Sequence, residues 1–405
     1  MKNKAPVIIF GDHLSAFGAI RGLSKHKIPI YMVSSDGKGM CTKSRFVKKI
    51  LKLKPKDGEF IEKLNNWFDQ EVGEDCVLIV AGSDQYLEVL AQNRDELRKE
   101  MKITFPDWEA VKKVREKRLT YKIAEELGIP IPKTFYITSY AELENLVREQ
   151  KETLTYPMFM KAEHSSALLS QYGTKGVICH DEKELLDSYK RYDGFGGELL
   201  LQDLIPGEFE TIKTVLMSLN RKSEPTGLLI NHKVRSQGKF LSGTLVQTDW
   251  SDTLLDYSLK LTRKIGYYGY AGTQFKLDPR DGVFKLMEIN GRMSMSNSLA
   301  FRSGVNLPYL MYQEALSGSL PAIKEFKQNY PNKILWWYFL GDMMAIINNK
   351  EYLRPFSYLK SLIGRGYTIE PLSWRDPYPF LYTLMVPFVN LFRKLNRKLR
   401  FSKVK

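Results

Sequence analysis

Two short runs joined by a tight turn constrain this chain more than any other feature. Thr273-Gln274-Phe275-Lys276 and Leu286-Met287-Glu288-Ile289-Asn290-Gly291-Arg292 flank Asp278-Pro279-Arg280-Asp281-Gly282. The centre is a strong turn signal, so the flanking runs read as antiparallel strands. Side chains alternate along a strand, so Glu288 and Asn290 share a face while Ile289 enters the core. A register that sets Gln274 opposite or diagonal to Glu288 gathers three oxygen donors on one surface. Hard oxygen donors suit Mg²⁺, which proteins hold with one or two carboxylates and complete with substrate phosphates. Arg292, two residues further on, offers a planar fork matched to phosphate oxygens. Taken alone, the hairpin also reads as a plain edge hairpin with a solvated polar face.

The rest of the chain narrows the class. With 43% hydrophobic and 26% charged residues over 405 positions, the composition is that of a globular protein of two or three domains. Cys41, Cys76 and Cys179 are odd in number and widely spaced, which supports neither a disulfide framework nor a structural zinc site. Met1-Lys2-Asn3-Lys4 leads only into the short apolar run Val7 to Phe10, too brief for a signal peptide, so a reducing cytoplasm is expected. No run of about 18 apolar residues is present, so a membrane-spanning helix is not expected.

Charge is concentrated at the C-terminus. The formal net charge of +15 falls to +8 without the seven cations of Arg393 to Lys405, a stretch with no acid. Immediately before it, Pro377 to Phe392 form an apolar and aromatic run interrupted by prolines. Apolar surface followed by a polybasic tail fits docking of 377–405 on an anionic membrane, at its inner face. A core-packed terminal helix with a basic end is the competing reading. Nucleic acid is not an expected partner, because no binding fold accompanies the basic run.

Strand–helix–strand alternation opens the chain: strands at 5–10, 28–33 and 76–81, with a helix at about 15–25, imply a small doubly wound α/β domain. Gly11 to Gly18 do not form a dinucleotide-binding glycine pattern. One helix is predicted over 108–127, stopped by Gly128-Ile129-Pro130-Ile131-Pro132. Strands and helices alternate over 133–200, and strands dominate 198–292 around one helix at 252–265. The expected division is 1–107, 108–200, 201–320 and a helical extension, 321–405.

Two further stations carry chemistry. Tyr156-Pro157-Met158-Phe159-Met160-Lys161 ends an apolar strand in a lysine, and the loop from His164 to Gly176 follows it with small residues able to approach phosphates. Glu198 to Asp203 form an apolar strand ending in Gln202-Asp203, before Leu204-Ile205-Pro206-Gly207 and the carboxylate Glu210. Backbone groups at such a strand end can meet an adenine edge, and a carboxylate beyond it can accept from ribose hydroxyls.

Together with Glu116-Lys117-Arg118-Leu119-Thr120-Tyr121, these ordered stations resemble the ATP-grasp superfamily over about Ala5 to Ser317, most of all the carboxylate–amine ligase group that includes D-aspartate ligase. Ser44-Arg45-Phe46 is similar to that group's N-terminal pattern. The resemblance implies an α/β pre-grasp domain, an α+β grasp of two subdomains, and use of ATP with Mg²⁺ or Mn²⁺. It implies Lys117 and Lys161 as phosphate contacts, Gln202, Asp203 and Leu204 as the adenine hinge, and Glu210 at the ribose. Gln274, Glu288 and Asn290 take the metal-ligand positions and Arg292 that of the arginine on the transferred phosphoryl group, with Lys161 and Arg292 the catalytic pair. Two departures stand out: a glycine-poor loop from His164 to Gly176, and Gly291 where proline is frequent. Lys233, Arg235 and Ser294 are expected to grip a substrate carboxylate, since arginine pairs with carboxylates in bidentate fashion.

The implied reaction joins a small-molecule carboxylate, an amino acid by expectation, to an amine through an acylphosphate, with cell-envelope or polysaccharide biosynthesis as its setting. A non-catalytic ATP-binding regulator or membrane scaffold, and a small-molecule kinase, are the alternatives.

Overall fold

Every residue of β1 (Val7–Phe10) is buried, because both faces of its sheet are covered. Val7 and Ile9 pack on one side with α1 (Leu14–Ser24), while Ile8 and Phe10 pack on the other with α2 (Phe60–Glu71) and α3 (Asp84–Gln92). The sheet adds β2 (Ile30–Ser34), β3 (Val47–Lys52), β4 (Cys76–Val80) and β5 (Met101–Ile103), all parallel in the order β3-β2-β1-β4-β5. This is the doubly wound domain expected at the N-terminus. Its loops after β1 and β4 touch: a Cβ on Gly11 (φ +108°) would lie 2.4 Å from the Cα of Gly82, so this crossing requires glycine. The computed structural model describes residues 4–150, 153–163, 168, 171–174, 176–192, 195, 198–207, 209–236, 242–348 and 366–386.

The single helix predicted over 108–127 is two: α4 (Trp108–Arg115) and α5 (Lys117–Glu126). Glu116 separates them with extended backbone, φ −91° and ψ 115°. The amphipathic pattern runs through this break, because both helices bury one stripe against the same core, Val111 and Val114 from the first and Tyr121 and Ala124 from the second. The joint starts a fresh helix at Lys117.

A second, antiparallel sheet has the order β6-β9-β7-β8, from β6 (Thr134–Ile137), β7 (Met158–Ala162), β8 (Gly176–Cys179) and β9 (Leu199–Asp203). Leu143 and Val147 of α6 (Tyr140–Glu149) and Leu185 and Tyr189 of α7 (Glu182–Arg191) cover one side of it. Ser139 and Asp181 cap these helices by accepting from the N–H groups of Glu142 and Glu184.

The largest sheet has the order β14-β13-β10-β11-β12-β15-β16. Its strands are β10 (Ile212–Leu219), β11 (Pro225–Ser236), β12 (Gly243–Asp249), β13 (Gly269–Asp278), β14 (Val283–Asn290), β15 (Leu335–Tyr338) and β16 (Tyr367–Glu370). Helix α8 (Asp252–Ile265) packs on one face; α9 (Asn297–Arg302), α10 (Leu307–Ser317) and α1 pack on the other. The extension beyond 320 holds α11 (Phe339–Asn348), but it also adds β15 and β16 to this sheet. The aromatic run Leu335-Trp336-Trp337-Tyr338 suits a pleated surface, and Trp336 is fully buried.

The extension then runs back to the first domain. Asp376 accepts from the Ser44 hydroxyl and, at 3.1 Å, from the Arg45 N–H. Residues 378–386 are helical, but Tyr378, Leu381, Leu384 and Met385 are exposed, so this part of the C-terminal run is not core-packed. The basic stretch 393–405 lies outside the described residues, as does much of the loop from His164 to Gly176. No helix among the described residues is long and apolar enough to cross a membrane. Cys41, Cys76 and Cys179 are free and buried.

Candidate functional site

The β13–β14 register sets Gln274 directly opposite Glu288, and Gly272 opposite Asn290. Directly paired residues share a face, so the row continues from Gln274 to Thr214 on β10, Asn231 on β11 and Thr248 on β12. Asn290 Nδ2 donates to Glu288 Oε1 at 3.1 Å, and Gln274 Nε2 donates to Thr214 Oγ1 at 3.5 Å. Both amides use their N–H sides, which leaves their carbonyl oxygens out of these bonds. Burial works against ionisation of Glu288, yet Lys117, the Asn290 bond, Arg292 and Lys233 together hold its pKa below the usual carboxylate value. Asn231 is buried, and its Nδ2 has no partner among the described residues.

Lys161 enters from the small sheet. It is buried at the end of β7, and its Nζ donates to Gln202 Oε1 at 2.7 Å. Burial, reinforced by the charge of Lys117, pushes its pKa down to about 7. Lys117, in the first turn of α5, donates from Nζ to the Glu163 carbonyl at 2.6 Å; burial also lowers its pKa. Glu163 accepts from the Arg118 N–H at 3.0 Å through Oε1, while its buried Oε2 has no partner among the described residues. Sequence reasoning passed over Glu163, although strand alternation carried one residue past β7 sets it on the face of Lys161, two residues away.

The first domain supplies a third side. Asp84, at the start of α3, lies 3.4 Å from Arg292 Nε and 3.6 Å from Arg115 Nη1. Arg115 gave no signal in the sequence, since its position depends on the unforeseen break after α4. Gly291, at the position where the family resemblance makes proline frequent, has a packing reason: a Cβ there would stand 2.3 Å from the Tyr267 hydroxyl and 2.8 Å from Leu87.

At the hinge, Gln202 turns inward. Its Nε2 donates to Thr134 Oγ1 at 2.8 Å and Tyr121 Oη at 3.2 Å, so its side chain fixes Lys161. The Asp203 N–H donates to the Lys133 carbonyl at 2.9 Å, and the Leu204 N–H reaches the Pro157 carbonyl only at 3.3 Å. Asp203 Oδ1 is a buried acceptor without a partner among the described residues. Glu210 is exposed on the turn before β10. Lys276 Nζ clamps the turn between the sheets, donating to the carbonyls of Ile205 at 2.8 Å and Gly207 at 2.9 Å.

The three residues expected at the substrate carboxylate separate. Lys233 adds its charge at Glu288. Arg235 lies instead in a buried network: its Nη1 is 2.9 Å from Asp342 Oδ2, and Asp342 also accepts from Thr244 Oγ1 at 2.7 Å and Trp337 Nε1 at 2.8 Å. Ser294 donates its N–H to Tyr270 Oη at 3.1 Å, two residues beyond Arg292.

Residues 227–334 match the family model described as ATP-grasp in the biosynthetic pathway with Ter operon. The chain is 24% identical over 345 residues to D-aspartate ligase of Enterococcus faecium (strain Aus0004), covering 82% of this chain and 81% of that protein. Among solved structures, an L-amino acid ligase from Bacillus licheniformis aligns with a TM-score of 0.60 at 16% identity, covering 82% of this chain and 78% of that one. An N5-carboxyaminoimidazole ribonucleotide synthetase in complex with ADP aligns with a TM-score of 0.63 at 14% identity, covering 87% and 88%. The chain carries an ATP-grasp domain. By name, two of these similar proteins are ligases, and solved neighbours were crystallised with ADP or with MgADP.

The ATP-grasp cleft fits those cofactors on its own chemistry. Among the described residues, no group of three or more His, Cys, Asp or Glu forms a metal centre. One carboxylate and two amide oxygens leave about half of a hard cation's shell to water and to phosphate oxygens. The cations Lys117, Lys161, Lys233 and Arg292 call for the same polyphosphate. Asp203 Oδ1 is an orphan acceptor at the hinge, the partner an exocyclic adenine amino group needs.

Proposed function

We propose that the protein is an ATP-dependent ligase that joins an amino acid carboxylate to an amine through an acylphosphate, releasing ADP and phosphate. The observation that carries this reading is the directly opposed pair Gln274–Glu288, with Asn290 beside it and Lys117, Lys233 and Arg292 acting on Glu288. In this reading a carboxylate oxygen attacks the γ-phosphorus and the bond to the β,γ-bridging oxygen breaks, giving ADP. The amine nitrogen then attacks the acyl carbon, phosphate leaves, and the nitrogen loses a proton. Lys117 and Lys161 hold the phosphates, Arg292 steadies the transferred group, and Lys233 and Ser294 meet the substrate carboxylate. Mg²⁺ on Gln274, Glu288 and Asn290 supplies charge neutralisation when bound. Gln202 serves by holding Lys161, with Asp203 and Leu204 at the adenine and Glu210 at the ribose.

The setting we propose is envelope or polysaccharide biosynthesis, at the inner face of a membrane, with 1–107, 108–200, 201–320 and 321–405 as working units. The likeness to D-aspartate ligase and the basic C-terminus support it. The test is phosphate release from ATP and Mg²⁺ against pools of D- and L-amino acids, with and without membrane-lipid extract. Release that requires an amino acid and yields an amide supports the ligase. A stable phosphorylated product instead identifies a kinase, and bound ATP without turnover a regulatory protein.

A further inference from the structure

We infer that residues 374–385 form a docking face for an anionic lipid bilayer, on the edge of the first domain that carries the catalytic cleft. Trp374 is 92% exposed, and Tyr378, Leu381 and Met385 are 53%, 49% and 61% exposed. The last three follow the i, i+3, i+7 spacing of one helical face within 378–386. The opposite side of this helix faces the protein: Pro379 is buried, Thr383 Oγ1 donates to Met40 Sδ at 3.9 Å, and the flank of the row is pinned. Tyr382 Oη donates to the Lys38 carbonyl at 2.8 Å, and Asp376 holds Ser44 and Arg45. The apolar row is therefore fixed outward, which sets it apart from an isolated surface hydrophobe.

Charge complementarity selects the occupant. Exposed Lys38, Lys43, Arg45 and Arg375 border the row, with Lys43 Nζ 5.3 Å from the centre of the Tyr382 ring. The nearby acids are Asp36, which accepts from the Lys38 N–H, Asp376, which is held by Ser44 and Arg45, and the buried Asp12, which accepts from the Gly39 N–H. A tryptophan and aliphatic side chains at the headgroup boundary, ringed by cations, are what an interfacial segment presents to anionic lipid. The sequence continues directly into the seven cations of 393–405.

The position matters for function. Lys38 and Gly39 lie in the loop after β2, where the Gly39 N–H donates to Asp12 Oδ2 at 3.1 Å in the loop after β1. The loop after β4 begins α3 with Asp84, 3.4 Å from Arg292. Strands β2 and β4, which lead into these two loops, lie roughly 10 Å apart with β1 between them. A bilayer here presents a membrane-carried acceptor to the cleft; this last step alone rests on the proposed ligase reading.

The test is co-sedimentation of the full chain, without nucleotide, with phosphatidylcholine vesicles and with vesicles that also contain phosphatidylglycerol. The wild type should pellet with the second kind only and be released by salt. Trp374→Ser/Leu381→Ser/Met385→Ser should weaken binding by about a hundredfold or more, since each of the three side chains loses an apolar burial worth about tenfold. Lys43→Glu/Arg45→Glu should do the same with an unchanged thermal melt. Failure of the wild type to pellet, or a triple variant that binds as the wild type does, overturns the inference. Self-association lost in the triple variant, with no vesicle binding, overturns it in favour of a second copy. Phosphate release without vesicles should be unchanged in these variants. A chain that binds vesicles but never releases phosphate leaves the docking face standing and removes the ligase.

Discussion

Lys161 Nζ donates to Gln202 Oε1 at 2.7 Å in a site where burial and Lys117 have lowered the lysine pKa to about 7. The amide holds the lysine in place without neutralising it, so a bound polyphosphate would be the counter-charge that restores its ordinary affinity for protons.

Nucleotide binding is therefore expected to take up protons. At pH 8 the free protein holds Lys161 mostly neutral, and a bound polyphosphate returns its proton, about one per site. Calorimetry of ADP binding in buffers of different ionisation enthalpy measures this directly. Gln202→Glu, which places a carboxylate beside the lysine, should raise its pKa and abolish the uptake.

The same shift sets a pH dependence of stability. Between pH 7 and the ordinary lysine value of 10.5, the unfolded chain binds the proton and the folded chain does not. Stability from this group therefore rises with pH across that window, and its penalty is complete below pH 7. Lys161→Met should flatten the rise in urea midpoints between pH 7 and 10.

Glu288→Gln keeps the shape and hydrogen bonding of the hairpin but removes its anionic donor. Amino-acid-dependent phosphate release should fall on the order of 10²–10³-fold, as for other losses of one preorganised charge contact. Near-ultraviolet circular dichroism should be unchanged. Wild-type turnover in this variant would remove Glu288 from the site.

Asp342→Ala strips the buried Arg235 guanidinium of its ion-pair partner. A cost of about 3–5 kcal/mol follows from leaving one charge of such a pair behind. Chemical denaturation should show the loss, and Arg235→Met/Asp342→Leu should recover much of it. Recovery of both stability and turnover in the double variant assigns Arg235 to the scaffold.

Gly291→Ala drives a methyl against the Tyr267 hydroxyl, 2.3 Å away. A loss of about 1–3 kcal/mol is expected from overpacking, with Tyr267→Phe relieving part of it. Additive losses in a double-mutant cycle would contradict this contact.

Much of this site was legible because its chemistry sits in strands. Period-two alternation alone sets Glu288 with Asn290 and leaves Ile289 for the core, and the turn at 278–282 brings Gln274 across. What stayed hidden depends on contacts between distant segments. The break at Glu116 sits inside an unbroken amphipathic pattern, so Arg115 and its ion pairs with Asp84 and Glu88 had no local signature. Gln202 reads as a hinge residue by position, yet the orientation of its side chain is set by Thr134 and Tyr121. Arg235 reads as a ligand from its charge, and only the fold supplies Asp342, 107 residues away.

Lys276 holds the turn at Ile205 and Gly207 from a position two residues along β13 from Gln274. The turn that joins the small sheet to the large one is thus fastened to the strand that carries Gln274. Any shift of one sheet against the other is borne by that strand.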